Sequence, residues 1–257
     1  MISKNRLKAI AALRQKKFRH LEHLFLVEGL RMCQEALSSD FSVTELLIRS
    51  DLLPLAEVQA LIAPAREHAI HVTEIAIKDA DTLAETMHSQ GVFGVVQQKQ
   101  VSFEMIPWHR AKLAIILDAG QDPGNVGTII RTCDWFGADV VLLGQGTAEL
   151  YNPKVVRATM GSLFHVPILQ DVNLSEALPR LKEMGFTVYG ADVNGKFLMT
   201  EVNYQLPAGL VIGNENSGID PGILTHVDYS VAIPRKGKAE SLNMAAAAAI
   251  LISRIVN

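Results

Sequence analysis

The sequence predicts an α/β protein: a parallel-sheet domain with helices on both faces, preceded by a small α/β unit. Three observations carry the prediction. Short apolar runs bounded by turn-forming residues, such as Leu113–Leu117 and Leu210–Ile212, read as buried strands. They alternate with segments of helical spacing, and a repeating strand–helix order argues for a parallel sheet with helices on both faces. Between Gln97 and Arg110, polar residues and a proline break the periodicity. The reading is therefore a domain over residues 1–98, a linker over 99–111 and a second domain over 112–257.

Residues 1–24 have helix-compatible spacing and a cluster of positive charge: Lys4, Arg6, Lys8, Arg14, Lys16, Lys17 and Arg19. A solvated helix face and an RNA-contacting arm both fit. His20 and His23 lack the Cys or carboxylate neighbours of a metal site. Beyond them come strand Phe25–Val27, helix Leu30–Leu37, strand Val43–Ile48, a helix near Leu55–His68, a strand about Ile70–Val72, a helix near Ala80–Met87 and strand Val92–Val96.

The second domain opens with strand Leu113–Leu117 and the loop DAGQDPGN. A helix follows with Asn125 at the expected N-cap and Gly137 at its end. Next are strand Val140–Leu143, a helix from Pro153 to about Met160, strand Phe164–Ile168, a helix at Ser175–Met184 and strand Phe186–Tyr189. Strands Leu210–Ile212 and Tyr229–Ile233 each run into a loop rich in Gly, Asn and Ser, and a helix begins near Ser241. In an open parallel sheet, loops at strand carboxyl ends are where ligands bind. Bare glycine backbone and free N–H groups at a helix start suit that role.

With 257 residues and 49% apolar content, the chain can bury a substantial core. A net charge of −3 neither supports nor excludes a nucleic-acid partner, because basic residues can be confined to one face. The two cysteines, Cys33 and Cys133, have no metal-ligand spacing and suit a reducing compartment. Met1–Leu13 lacks a signal-peptide core, and no apolar run reaches membrane-spanning length. The expectation is a soluble cytoplasmic protein without a membrane partner.

Gly190–Lys196 approaches a phosphate-binding loop, but Phe197 stands where the Mg²⁺-binding hydroxyl belongs. Glycines 120, 124 and 127 have the wrong spacing for a dinucleotide fingerprint. No nucleophile elbow is present.

Three stretches carry a resemblance. Asn125-Val-Gly-Thr-Ile-Ile-Arg131, Gly213-Asn214-Glu215, and Ile233-Pro234 followed by Ser241-Leu242-Asn243 resemble the three motifs of the SpoU (TrmH) RNA 2′-O-ribose methyltransferases. Each is weak alone; their order and their placement at strand ends make the combination strong. The match departs at Asn216, where Gly is common, and at Arg235, where an apolar residue is usual. FLVEGLRMCQEAL resembles the opening of the L30e-like substrate-holding domain that family members often carry.

The resemblance implies S-adenosylmethionine as methyl donor, no metal, and RNA as substrate, ribosomal RNA before tRNA because of the L30e-like N-terminal domain and because GKAESLN looks like the rRNA-directed branch. A non-catalytic RNA-binding protein on the same fold is the alternative. It further implies a trefoil α/β knot and a homodimer in which Arg131 reaches the partner's cofactor site. Residue by residue, it makes Arg131, Glu215 and Asn243 catalytic, and places Asn125, Ser241 and Arg157 on the substrate side, with Thr159 and Ser162 beside Arg157 as further RNA-facing candidates. Gly213, Ile233 and Leu242 fall at cofactor contacts.

From the residues alone, alternatives stay open. Arg131, among apolar helix neighbours, also fits a structural ion pair. Glu215 also fits a surface carboxylate, and Asn243 and Ser241 each fit either a ribose contact or a cap on the last helix, with capping the stronger reading for Ser241. A guanidinium scarcely loses its proton, so Arg131 is better suited to gripping a phosphate than to acting as a literal base.

Overall fold

The computed structural model describes residues 2–84 and 89–257, in two compact units. The first comprises Met1–Lys99 with Tyr151–Phe164, the second Gln100–Leu150 with His165–Asn257.

The first unit contains α1 (Lys4–Ala12), α2 (Lys16–Glu22), β1 (Leu24–Glu28), α3 (Leu30–Ser38), β2 (Val43–Arg49), α4 (Ala56–Glu67), β3 (His71–Ile75), α5 (Ile77–Leu83) and β4 (Val92–Gln97). Its four strands run in the order β1-β4-β2-β3. The expected helix near Ala80–Met87 is displaced towards the N-terminus as α5, and residues 85–87 of that expectation lie outside the described residues.

The N-terminal basic cluster divides by chemistry. Arg6 pairs with the buried Glu45 through Nε and Nη2 at 3.0 and 2.8 Å, and Thr73 donates to the other oxygen of Glu45 at 2.7 Å. Arg14 donates to the carbonyls of Thr82 and Ala84, and the buried Arg19 to those of Leu13 and Arg14. These three arginines hold the fold together, whereas Lys4, Lys8, Lys16 and Lys17 are exposed.

The second unit contains β5 (Leu113–Leu117), α6 (Pro123–Phe136), β6 (Val140–Gly144), β7 (Ile168–Val172), α8 (Leu174–Glu183), β8 (Thr187–Ala191), β9 (Phe197–Leu198), β10 (Ala208–Ile212), α9 (Pro221–Leu224), β11 (Tyr229–Ala232) and α10 (Met244–Val256), while α7 (Pro153–Thr159) falls in the first unit. Its seven strands are all parallel, in the order β7-β6-β5-β10-β8-β11-β9. Strands β5, β6 and β10 are buried along their whole length, as strands covered on both faces must be.

Four sequence expectations are corrected. Of the 99–111 stretch, read as a linker, residues 100–111 are built into the second unit, where Phe103, Ile106 and Trp108 join the core and Trp108 Nε1 donates to Phe103 O at 2.8 Å. Its polar composition hid three large apolar residues at irregular spacing. The strand expected at Phe164–Ile168 is a 3₁₀ turn over Ser162–Phe164, and β7 starts only at Ile168. Gly161, at φ +104°, curls the chain, and Phe164 N–H closes on its carbonyl at 2.9 Å. Segment 151–164, expected within the second domain, clusters with the first unit because the Tyr151 and Phe164 rings pack on Phe25, with centroids 4.5 and 6.4 Å away. Finally, α6 and α10 are capped by Asp122 and Asn243, not by Asn125 and Ser241.

Candidate active site

Because the second sheet is parallel, its strands deliver their carboxyl ends to one edge. Leu143, Leu117, Ile212, Ala191 and Val231 stand in register across it. Three loops leaving this edge carry the motif residues.

The loop after β5 begins with the buried Asp118, whose N–H donates to Ile212 O at 2.9 Å and whose Oδ2 accepts Asp220 N–H at 2.7 Å. Ala119 follows in the left-handed region at φ 51°, a conformation that costs a non-glycine residue energy and is held here by its surroundings. Its carbonyl accepts Asn214 Nδ2 at 2.7 Å. Asp122 then caps α6 by accepting Asn125 N–H at 2.8 Å, with Pro123 at the first helical position, where its missing N–H costs nothing. Since Asp122 does the capping, the Asn125 side chain is left to point elsewhere.

The loop after β10 is a tight turn. Gly213 admits no side chain: a Cβ there would lie 2.2 Å from Gly218 C and Ile219 N. Asn214 and Gly218 exchange backbone hydrogen bonds of 2.9 and 3.0 Å, and Asn214 Oδ1 accepts the N–H groups of Asn216 and Ser217. This turn presents Glu215, half-buried, to Asn125 Nδ2, which donates to Glu215 Oε1 at 2.9 Å. Asn216 keeps its place without being glycine because the left-handed position falls on Gly218, at φ +71°.

The loop after β11 is open. Arg235–Glu240 are all exposed, with Arg235 Nη1 donating to Ala239 O at 3.4 Å. It ends at Asn243, whose Oδ1 accepts the N–H groups of Ala245 and Ala246 at 2.9 and 3.2 Å, while its Nδ2 donates to Asn125 Oδ1 at 2.9 Å.

Asn125, in the first turn of α6, is thus joined side chain to side chain with Glu215 and Asn243, 90 and 118 residues away in sequence. Arg131 lies on α6 beyond Asn125. It is exposed and makes no hydrogen bond or ion pair among the described residues, so the structural ion pair open to it in the sequence is absent there. Gly124, Thr128 and Trp135 share its exposed face at helical spacing, with Trp135 84% exposed. Ser241 is exposed and caps nothing, because Asn243 takes that role.

Arg157 is on α7, in the first unit, separate from the unit that holds the other site residues. Thr159 and Ser162 do not face solvent; both are buried, and Thr159 donates to Val156 O at 2.7 Å. The loop at Gly190–Lys196 is occupied with its own turn: Asn194 N–H bonds Asp192 Oδ1, and a Cβ on Gly195 would strike the β11 backbone at 2.6 Å. β9 follows it where a phosphate loop would start a helix.

Three features that organise the site were quoted in the sequence without a role of their own. The Asp-Pro pair at 122–123 is a readable helix start, and Asn214 heads a recognisable Asx turn. Asp118 gives no local signal, because its partner is 102 residues away.

The residues present fit a nucleoside-containing cofactor. The Gly213 turn after β10, partly buried Ile233 after β11 and a half-exposed Leu242 beyond it combine loop backbone with apolar surface at the two strand ends that flank β8. Among the described residues, no group of three or more His, Cys, Asp or Glu side chains is arranged for a metal, and no helix is long and apolar enough to cross a membrane.

Comparison with known proteins identifies the family. Residues 112–253 match the SpoU rRNA Methylase family and residues 4–94 the MRM3-like substrate binding domain. The chain is 34% identical over 240 residues to the 23S rRNA (guanosine(2553)-2′-O)-methyltransferase RlmP of Bacillus subtilis, covering 93% of this chain and 91% of that one. The SpoU methyltransferase AviRb of Streptomyces viridochromogenes, solved with AdoMet, superposes with a TM-score of 0.88 at 27% identity, covering 99% of this chain and 97% of that one. An AdoMet-bound rRNA methyltransferase of Sinorhizobium meliloti gives 0.86 at 29% identity, covering 99% and 95%. With its family motifs at the sheet edge and relatives matched along nearly its whole length, the chain belongs to the SpoU rRNA methylase family.

Proposed function

We propose that this protein is a cytoplasmic, homodimeric RNA 2′-O-ribose methyltransferase that uses S-adenosylmethionine and acts on large-subunit ribosomal RNA. The observation that carries the reading is the bonded trio Asn125–Glu215–Asn243 at the edge of a parallel sheet, with an exposed Arg131 on the same helix as Asn125. The cofactor supplies a methyl group already activated by its sulfonium. What remains for the protein is to position the acceptor and give its proton a route.

Gly213, Ile233 and Leu242 hold the cofactor in this reading. Arg131 grips the target nucleotide's phosphate, for which its five-donor fork, without a partner among the described residues, is suited. Glu215, an acceptor held by Asn125, faces the acceptor side and orients it, and Ser241 meets the ribose from the open loop. Arg157 contributes to RNA binding with the exposed lysines of residues 1–98, the substrate domain, while residues 112–257 carry the chemistry. The homodimer rests on the family resemblance, and Trp135, 84% exposed on the Arg131 face of α6, is a large ring that such a contact would cover. The trefoil knot is supported by the tight approach of α10 to the loop after β5, where a Cβ on Gly120 would meet Met244 Cε at 2.9 Å. The preference for rRNA over tRNA rests on the likeness to RlmP and on the GKAESLN segment.

The test is a map of alkali-resistant positions in ribosomal RNA from cells with and without the protein. A single position losing its protection in the deficient cells, and regaining it with the wild-type chain but not with Arg131→Ala, is the expected result. An unchanged rRNA map with a change in tRNA moves the substrate to tRNA. No change in either favours a non-catalytic RNA-binding role.

A further inference from the structure

We infer that Asn243 and Asn125 form a polarised amide relay, set by the N-terminus of α10, which holds Glu215 as a hydrogen-bond acceptor; both asparagines are positioning residues. The inference follows from the direction of each bond. The first N–H groups of a helix have no partner within the helix and can only donate. Two of them, from Ala245 and Ala246, fall on one atom of the Asn243 side chain, which must therefore be its oxygen. Turning that amide over would set donor against donor at both bonds.

With Oδ1 fixed on the helix, the other end of Asn243 is an N–H donor. The Asn125 atom it meets 2.9 Å away must be an acceptor, so it is Oδ1. The far end of Asn125 is then its amide nitrogen, which donates to Glu215 Oε1 at 2.9 Å. An isolated asparagine can present either end to a neighbour. Here neither has that freedom, and the choice was made by a helix start 29 residues along the chain from Glu215. The chain of donors ends on the carboxylate and leaves Glu215 Oε2 outside the relay.

Two of the residues assigned to chemistry and substrate by family resemblance thus have their polar atoms engaged with each other and with the backbone. They act through Glu215. The consequence for methyl transfer rests on the proposed function, but the bonding does not, so the two can be tested separately.

The experiment reverses the polarity and then repairs it. Asn243→Asp keeps the helix cap but replaces the donor facing Asn125 by an acceptor. Asn125 must turn over, and its oxygen then opposes the Glu215 carboxylate. Asn125→Asp opposes the two carboxylates directly. Adding Glu215→Gln repairs either one, because the glutamine amide supplies the donor now required. The two single variants and the two double variants are compared with Glu215→Gln alone, by thermal denaturation and by single-turnover methyl transfer to ribosomal RNA.

Each single Asp variant is expected to lower Tm by several degrees and the methyl-transfer rate by about tenfold or more, with cofactor affinity much less affected. In each double variant, Glu215→Gln is expected to restore Tm towards wild type, a non-additivity that residues outside one network do not show. Additive Tm losses in both double variants, or wild-type rates in both single variants, overturn the relay. If one Asp variant does not fold, the other supplies the same cycle. Inactivity of the wild type with the Tm coupling intact overturns the proposed function and leaves the relay standing.

Discussion

The loops after β10 and after β11 flank the end of β8 on one sheet edge, yet they are held in opposite ways. The first is tied at every turn: Asn214 bonds Ala119, Asp118 takes Asp220 N–H, and Glu215 takes Asn125. The second is exposed from Arg235 to Leu242 and carries one 3.4 Å bond within itself. A site needs both kinds of wall. Groups that must sit within a fraction of an ångström of the reacting atoms belong on the fixed side. Ligands that enter and leave need a side that yields, and loops with few buried neighbours open at low cost.

This contrast makes substitutions on the two sides differ in kind. The largest effect falls on a residue that neither loop holds. Arg131→Ala removes an exposed guanidinium without a partner among the described residues, so methyl transfer is expected to fall by about 10²–10³ with Tm unchanged, measured in single-turnover assays beside calorimetry. A matching loss of stability would mean that Arg131 supports the fold instead. On the fixed side, Gly213→Ala forces a methyl into backbone atoms 2.2 Å away, so the turn must move. A loss of about 10² in rate together with a lower Tm is expected, since displacements near 1 Å can have that effect.

On the open side, Leu242→Arg replaces a side chain that is 49% exposed. Calorimetric titration with S-adenosylmethionine should show cofactor affinity weakened about tenfold or more, with Tm near wild type. Smaller still is the joint replacement of Arg235, Lys236 and Lys238 by Ala. It should flatten the salt dependence of RNA binding, by about one unit of slope for each phosphate the variant no longer neutralises, and leave cofactor affinity alone.

The smallest effect concerns pH. Burial pushes the Cys33 and Cys133 thiols well above the ordinary range, with nearby Glu28 and Asp134 carboxylates acting in the same direction. In the unfolded chain these thiols ionise from about pH 8.5 upward; in the folded chain they stay neutral. The unfolded state therefore loses protons first, and the thiol contribution to stability, intact below that pH, is lost as pH rises. The fall in Tm between pH 8 and 10 should be shallower in the Cys33→Ala, Cys133→Ala double variant.

What was legible in the sequence follows the range of the interactions. Strands such as Leu113–Leu117 are continuous apolar runs, and that local signal survives folding unchanged. Gly137 ends α6 in the left-handed region, as a glycine placed there should. The caps were misassigned because Asn125 and Ser241 are good capping types by composition, while the choice between neighbours depends on where the chain enters the helix. The buried Thr159 and Ser162 and the packed 100–111 stretch were illegible for a different reason: burial is decided by partners remote in sequence. Within the site, motif resemblance named Asn125, Glu215 and Asn243 individually. Only the fold revealed that they share hydrogen bonds, since 90 and 118 residues separate Asn125 from the other two.

The most direct test of the central claim is to incubate the purified protein with methyl-labelled S-adenosylmethionine and unmodified 23S-type ribosomal RNA, digest the RNA to nucleosides and identify the labelled product. A 2′-O-methylribonucleoside, absent with Arg131→Ala, is the result expected of the site described above. A base-methylated nucleoside, or no transfer to ribosomal RNA under conditions where the cofactor binds, would contradict it.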